Sequence, residues 1–302
     1  MRQEVQETED KDTMGTGAGR KWEMYDRLIE GIPADLRVEE ILVCRSRTMV
    51  RSESGCGIAM TVDGEAFPSC RKGNPVGRPL RDLAALVKSW NYTDASVGLA
   101  AMNAWYNSRE HIDEIKARVS GEERVYAGVK SSSCAAAGIL QEDSCTPKAE
   151  TGLLTQSEDA FLCYRDLVRG KKVASVGHFA YLENRYADLC TLSILEREQQ
   201  KGDYPDTAAE YLLEEQDYVF ITGATLINKS LPRLLELCGS ARVILCGPST
   251  VMSRELFAWG VDDLAGFMVE NADACREFIC LDSASVFESG KMVRLIREEC
   301  GG

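Results

Sequence analysis

The run Tyr218-Val-Phe-Ile-Thr222, followed by Gly223-Ala-Thr-Leu-Ile-Asn-Lys229, Ser230-Leu-Pro-Arg-Leu-Leu-Glu-Leu-Cys238 and Arg242-Val-Ile-Leu-Cys246, reads as strand, loop, helix and strand. Both strands are short and apolar throughout, without the alternation of a sheet that has one wet face. Strands of that kind, separated by a helix, belong to a parallel sheet covered on both sides.

The same rhythm extends in both directions. Lys172–Gly177 and Leu192–Leu195 are strand-like runs upstream, and Leu264–Val269 is one downstream. Helical segments are expected over Ser157–Arg169, closed by Gly170, over Thr207–Leu213 and over Ser253–Trp259, with further helices after Val269. Residues 158–302 therefore read as a Rossmann-like open parallel sheet.

Residues 21–118 have a different grammar. A helix from Trp22 stops at Gly31 and Pro33. Val38–Arg51 is β-branched and alternating, and Ile58–Val62 reads as a returning strand, giving a hairpin or meander. Arg45, Arg47 and Arg51 alternate there as a solvated strand face. Pro79 suits a first helical position, and Leu80, Leu83, Ala84, Val87 and Trp90 form one buried stripe. A second helix is expected from Thr93 as N-cap, with Asp94 in its first turn and small residues (Ala95, Ser96, Gly98, Ala100, Ala101, Ala104) that permit close packing. This is a small α+β lobe. Residues 1–20, charged and then Gly-rich, read as a disordered tail, and 119–157 as a Cys- and Ser-rich linker. At 302 residues, two lobes with separate cores are expected.

Composition removes several classes of function. The 35 basic and 48 acidic residues leave a net charge of −13, which repels phosphate backbones, so nucleic acid is not an expected partner. No stretch approaches the ~20 apolar residues that span a bilayer, and no signal peptide is legible, so a cytoplasmic protein without membrane contact is expected. None of the twelve cysteines forms C-x-x-C or C-x-C. Neither a zinc ribbon nor a redox dithiol is signalled, and most are expected to be reduced, buried thiols.

In an open parallel sheet ligands bind beyond the carboxyl ends of the strands. Those positions here carry Gly177-His178-Phe179, then Glu196, then Thr222-Gly223-Ala-Thr225 with Asn228, then Gly247-Pro248-Ser249-Thr250. His178 is the leading candidate, as acid/base group or as metal ligand with Glu196. Glu196 lies where dinucleotide sites keep a ribose-binding carboxylate, but the first turn is not G-x-G-x-x-G, which argues against an ordinary NAD site. Gly-Pro-Ser-Thr reads either as an anion cradle or as a turn with an N-cap. Asn103, Tyr106 and Asn107 share a helix face that would roof the strand ends, and His111 lies in a polar, solvated stretch.

Several stretches together carry a family resemblance: Lys88-Ser-Trp-Asn-Tyr92, Ala95-Ser-Val-Gly-Leu-Ala-Ala-Met-Asn-Ala104, Val176-Gly-His-Phe179, Leu192-Ser-Ile-Leu-Glu196, Gly202-Asp-Tyr-Pro205, Lys229 through Leu237, and Gly247-Pro248. By these the chain resembles the "Putative heavy-metal chelation" family. The resemblance implies an enolase-N-terminal-like first lobe, a Rossmann-like second lobe, and a role with metal in anaerobic corrinoid or tetrapyrrole metabolism. It points to Asn91, Tyr92, Asn103, His178, Phe179, Glu196, Thr222, Gly223, Asn228 and Gly247. Ala180 stands where the family typically has proline.

Two functional readings follow. In one, the protein binds a metal or a metallated small molecule between the lobes, with a divalent or heavy metal ion as cofactor and His178 and Glu196 as ligands. In the other, it is an enzyme or sensor for a small anionic organic ligand cradled by Thr222–Thr225 and Gly247–Thr250. A scaffold without chemistry explains the strand ends least well. The expected partners are a small-molecule or metal ligand, with assembly as a homo-oligomer.

Overall fold

The structure, a computed structural model, describes residues 16–63, 74–122, 153–154, 160–179 and 182–297. Most of the expected linker, part of the tail, Ala180, and Cys70, Cys134, Cys145 and Cys300 lie outside the described residues. Helix α1 (Thr16–Glu30) begins inside the stretch read as tail. Three strands follow as an antiparallel meander, β1 (Val38–Val43), β2 (Arg47–Ser52) and β3 (Gly55–Met60). The single run read over Val38–Arg51 is two strands, because the chain turns where the Cys44 N–H donates to Arg47 O at 3.1 Å.

Helices α2 (Leu80–Ala84), α3 (Tyr92–Tyr106) and α4 (Arg109–Glu122) complete this part. Helix α3 starts earlier than expected. Asn91, not Thr93, is its N-cap and accepts from the Asp94 N–H at 3.1 Å, while the Thr93 hydroxyl donates to Val62 O at 3.4 Å. Every residue from Thr93 to Tyr106 is buried. A helix with no wet side must be covered all round, and α3 is the centre of the molecule. Its small residues let backbones approach: a Cβ on Gly57 would lie 2.1 Å from Ala104 N, and one on Gly98 would lie 2.0 Å from Val87 N.

Burial of α3 corrects the expectation that its polar residues roof a cleft. Asn103 donates to Ile58 O at 2.8 Å, and the Tyr106 hydroxyl donates to Leu28 O at 2.8 Å. Asn107 donates to Thr250 O (2.9 Å) and Phe267 O (3.1 Å) and accepts from Met252 N–H (3.1 Å). These side chains satisfy buried backbone groups that no sheet or helix partner reaches. His111 is likewise not solvated but packs on the Trp105 and Tyr106 rings, at 5.0 and 5.1 Å.

The large sheet is built from β4 (Leu153–Leu154), β5 (Lys172–Val176), β6 (Thr191–Glu196), β7 (Tyr204–Pro205), β8 (Tyr218–Thr222), β9 (Arg242–Cys246), β10 (Asp263–Val269) and β11 (Gly290–Ile296), in the order β4-β11-β10-β9-β8-β5-β6-β7. The five expected strands, β5, β6, β8, β9 and β10, are all present and parallel. The short strand β7 extends them in parallel, whereas β11 lies antiparallel between β10 and β4. Strand β11 corrects the expectation of helices alone after Val269. Among the described residues only α9 (Ala272–Cys280) is an α-helix there. Three further helices are shorter than expected, α5 (Ala160–Tyr164), α7 (Ala209–Leu212) and α8 (Leu231–Leu237), and α6 (Leu182–Tyr186) was not expected. Arg254–Trp259 is a 3-10 turn rather than an α-helix, capped by Ser253 and closed by Gly260 at φ 99°.

The two sheets do not have separate cores. One apolar cluster runs from Tyr25 and Leu99 to Leu226, Leu245 and Val251, because α3 presents apolar surface to both sides. The opposite face of the large sheet is covered by Phe161, Tyr164 and Tyr186 around Phe220. A third cluster joins the meander to α9 through Met49, Cys56, Phe267 and Cys275. Around it Arg51 pairs with Asp273 at 3.1 Å and Arg276 with Glu40 at 2.7 Å, so Arg51 is not merely part of a solvated face.

Cys56, Cys238, Cys246 and Cys275 are buried, Cys280 is exposed, and no disulfide occurs among the described residues. Burial pushes the Cys190 thiol up to about 11 and the Cys238 thiol up to about 12, which suppresses the reactive thiolate. Peptide-resolved alkylation of the native protein at pH 7 should therefore mark Cys280 early and Cys238 and Cys246 only on unfolding. Fast labelling of Cys238 would contradict this packing.

Candidate functional site

From β5 the chain proceeds outward to β6 and β7; from β8 it proceeds the other way to β9 and β10. The order thus reverses between β5 and β8, which makes their carboxyl ends the topological switch point, where open α/β sheets bind ligands. The two ends abut: a Cβ on Gly177 would lie 3.0 Å from Thr222 Cγ2. The residue after Gly177 is His178.

His178 is held from two directions. Its backbone N–H donates to Glu196 Oε2 at 2.8 Å, and its ring Nδ1 faces the Asp203 carboxylate at 3.0 and 3.1 Å. The imidazole is 8% exposed and the Asp203 side chain 1%. A carboxylate at Nδ1 selects the tautomer with its proton there and leaves the lone pair on Nε2. Asp203 also accepts from the Gln200 N–H at 2.9 Å, so its position does not depend on the histidine alone. Phe179 lies against the glycines after β5 and β9: its ring would be 3.7 and 3.6 Å from a Cβ at Gly177 and Gly247, and both glycines have positive φ (109° and 98°).

The other strand-end residues have different occupations. Glu196 turns Oε2 to His178 and Oε1 to the Arg197 N–H (2.6 Å) and Glu198 N–H (3.3 Å), so both carboxylate oxygens organise backbone. Thr222 accepts from Ala224 N–H (3.3 Å), Thr225 donates to Thr222 O (2.7 Å), and Asn228 accepts from Ser230 N–H (3.0 Å). Gly223 sits against the Ser249–Thr250 backbone, where a Cβ would come within 2.5 Å. Ser249 accepts from Met60 N–H at 2.9 Å, and the Thr250 N–H donates to Gly247 O at 3.0 Å across Pro248. The Thr222–Thr225 and Gly247–Thr250 loops are thus closed on each other and on β3. Asn91 caps α3, which puts Tyr92 at the helix start beside the sheet edge: Arg197 lies 5.9 Å and Lys229 Nζ 5.4 Å from its ring.

Sequence reading missed Asp203 and Arg197, and it placed Lys229 with Asn228 past the third strand end without giving it a role. Asp203 and Lys229 lie inside stretches that carry the family resemblance, which was the available signal; Arg197 directly follows another. No local spacing pairs Asp203 with His178, 25 residues away. A metal held by protein groups alone needs several ligands converging on one point. Among the described residues no group of three or more His, Cys, Asp or Glu side chains gathers in that way. No helix among them is long and apolar enough to cross a membrane. A hollow between α1 and α8, lined by Lys21, Met24, Pro232, Leu235, Glu236 and Trp259, shares no residue with the strand-end site.

Two family profiles match the chain. DUF4213, described as Putative heavy-metal chelation, covers residues 25–106, and DUF364, with the same description, covers residues 159–295. A crystal structure of a DUF364-family protein of unknown function from Desulfitobacterium hafniense is 35% identical, with a TM-score of 0.74 over 92% of this chain and 100% of that one. A second from Pyrococcus horikoshii is 18% identical, with a TM-score of 0.67 over 92% and 99%, and is a likeness of fold. An uncharacterized protein of Methanocaldococcus jannaschii is 29% identical over 127 residues, 40% of this chain and 49% of the relative. The chain therefore spans about half the length of that curated relative.

Proposed function

Since the chain belongs to the DUF364 family, described as Putative heavy-metal chelation, we propose that it binds a metal that arrives already held in an organic chelate, with His178 Nε2 as the protein's own ligand to it. The observation that carries this reading is the buried His178–Asp203 pair at the switch point. Metal-bound histidines characteristically rest their second nitrogen on a carboxylate, which fixes the ring and raises its basicity. Among the described residues the same place offers no second and third side chain for a bare ion, since Glu196 is spent on backbone N–H groups. One strong donor without companions suits a metal whose remaining positions are filled by its own chelator. A metallated tetrapyrrole or corrinoid, the class implied by the family resemblance, is the cargo of this kind to test, placed between α3's start and the strand ends.

The His–Asp pair also has the arrangement of a general acid/base group, which keeps a reaction on an organic ligand as the second reading. Absorbance titrations with cobalt(III) uroporphyrin, metal-free uroporphyrin, and cobalt, nickel and zinc chlorides separate the two. The proposal expects the cobalt macrocycle to bind more tightly than the metal-free one, with the band shift of imidazole ligation. Tight stoichiometric binding of a simple ion, or equal binding of both macrocycles without a band shift, would overturn it.

A further inference from the structure

We propose that Lys229, Arg197, Tyr92 and Trp90 form an anion subsite beside the strand ends that carry His178, which selects a flat organic ligand bearing carboxylates. The inference rests on the reading of those strand ends as the ligand site, and it adds the chemical class of the ligand.

In a chain of net charge −13, many basic groups find carboxylates, as Arg233 finds Glu210 (2.6 Å) and Lys88 finds Asp26 (2.6 Å), whereas Arg81 donates to the Ile32 and Glu30 carbonyls. Lys229 pairs with no carboxylate among the described residues. Its ammonium instead donates to Ser89 O and to Ile227 O (2.6 Å) and lies 5.6 and 5.4 Å from the Trp90 and Tyr92 ring centres. Its backbone has φ 63°, a left-handed conformation that costs a lysine free energy and persists only where the surroundings impose it. Burial draws its pKa down to about 8, so the charged form still prevails at neutral pH. Two of three donors are engaged by carbonyls, which leaves one for a ligand.

The neighbours extend the pattern. Arg197 lies 5.9 Å from the Tyr92 ring; its Nε pairs with Asp206 at 3.2 Å, which leaves other guanidinium donors available. Trp90 does not join the buried stripe expected of it, because the helical turns end at Lys88; it is 71% exposed, a large apolar ring left in water beside a cation. Rings that receive a flat face, flanked by cations that receive carboxylates, match an anionic aromatic or macrocyclic ligand. Arg197 directly follows Glu196, whose Oε2 holds the His178 backbone, so the end of β6 links the subsite to the histidine. The bland account is that Lys229 is only a strut between Ser89 and Ile227. A strut affects folding but does not discriminate between charged and neutral ligands.

The test uses metal-free uroporphyrin, an octacarboxylate, and the same macrocycle with its carboxylates converted to amides. Fluorescence titrations at 0.15 M salt compare the native protein with Lys229→Gln, Lys229→Arg, Arg197→Gln and His178→Ala. The native protein should prefer the octacarboxylate. Lys229→Gln should weaken it by about tenfold or more and leave the amide unchanged, whereas Lys229→Arg should retain most of the preference. Arg197→Gln, at a half-exposed side chain, gives the same readout if Lys229→Gln fails to fold. Equal binding of acid and amide by the native protein, or an undiminished preference in Lys229→Gln or Arg197→Gln, would refute the subsite. His178→Ala should leave metal-free binding intact. Failure of the metal reading therefore shows only with the cobalt macrocycle, and failure of the subsite only with the carboxylates.

Discussion

Arg294→Met should lower stability by about 3–5 kcal/mol, enough to move the melting temperature down by roughly 10 °C. Asp263, at the start of β10, is 0% exposed. It accepts from Arg294 Nε at 2.7 Å and from the Tyr164 hydroxyl at 2.8 Å, and Arg242 Nε in turn donates to Tyr164 at 3.1 Å. This network ties β9, β10 and β11 to α5. Removing the guanidinium leaves an interior carboxylate whose charge is opposed only by Arg242, which reaches it through the Tyr164 hydroxyl rather than by direct contact. Burial already pushes the Asp263 carboxyl above its ordinary range, and the hydrogen bonds from Arg294 oppose that. In the variant that opposition is gone, so the folded protein holds a proton that the unfolded chain has released. Its stability must then fall as pH rises through the raised value and recover as pH is lowered. Thermal melts at pH 5 and pH 8 measure both effects. Combining Asp263→Leu with Arg294→Met should restore most of the loss, since an apolar pair of similar volume replaces an ion pair at little cost. An Arg294→Met protein that melts with the native one at pH 8 would show that the network contributes little.

The second large effect concerns ligand. His178→Ala should abolish the band shift of the cobalt macrocycle and weaken its binding about 100-fold, while Asp203→Asn should cost about 10- to 100-fold with the ring still in place. The ligand-free protein should melt nearly unchanged in both. The His178 backbone keeps Glu196 in the alanine variant, and the residue at 203 keeps the Gln200 N–H in the other. An unaltered band shift in His178→Ala would remove His178 from the site. A melting temperature that collapses in the ligand-free alanine variant would assign it to the core instead.

What the sequence by itself determined is whatever rests on neighbours close along the chain. The five parallel strands are legible because each is a short apolar run between helices, a pattern that only a doubly covered sheet produces. The strand-end rule then leads to His178 without knowledge of any contact. The tertiary structure alone decided what those residues face. The polar residues Asn103, Tyr106 and Asn107 look like a wet helix edge, yet α3 is enclosed and Asn107 bonds to Thr250, 143 residues away. Thr222, Thr225 and Ser249 look like an open cradle until their partners are seen to be Ala224, Thr222 and Met60. Strand β11 exists through its antiparallel pairing with β10 and the buried Arg294–Asp263 pair, neither of which leaves a local signature. Asp203 and Lys229 reach His178 and Tyr92 from loops distant in sequence. Periodicity reports which side of a single element is apolar; which surface covers that side, and which polar groups meet across it, depends on packing between segments separated by tens to hundreds of residues.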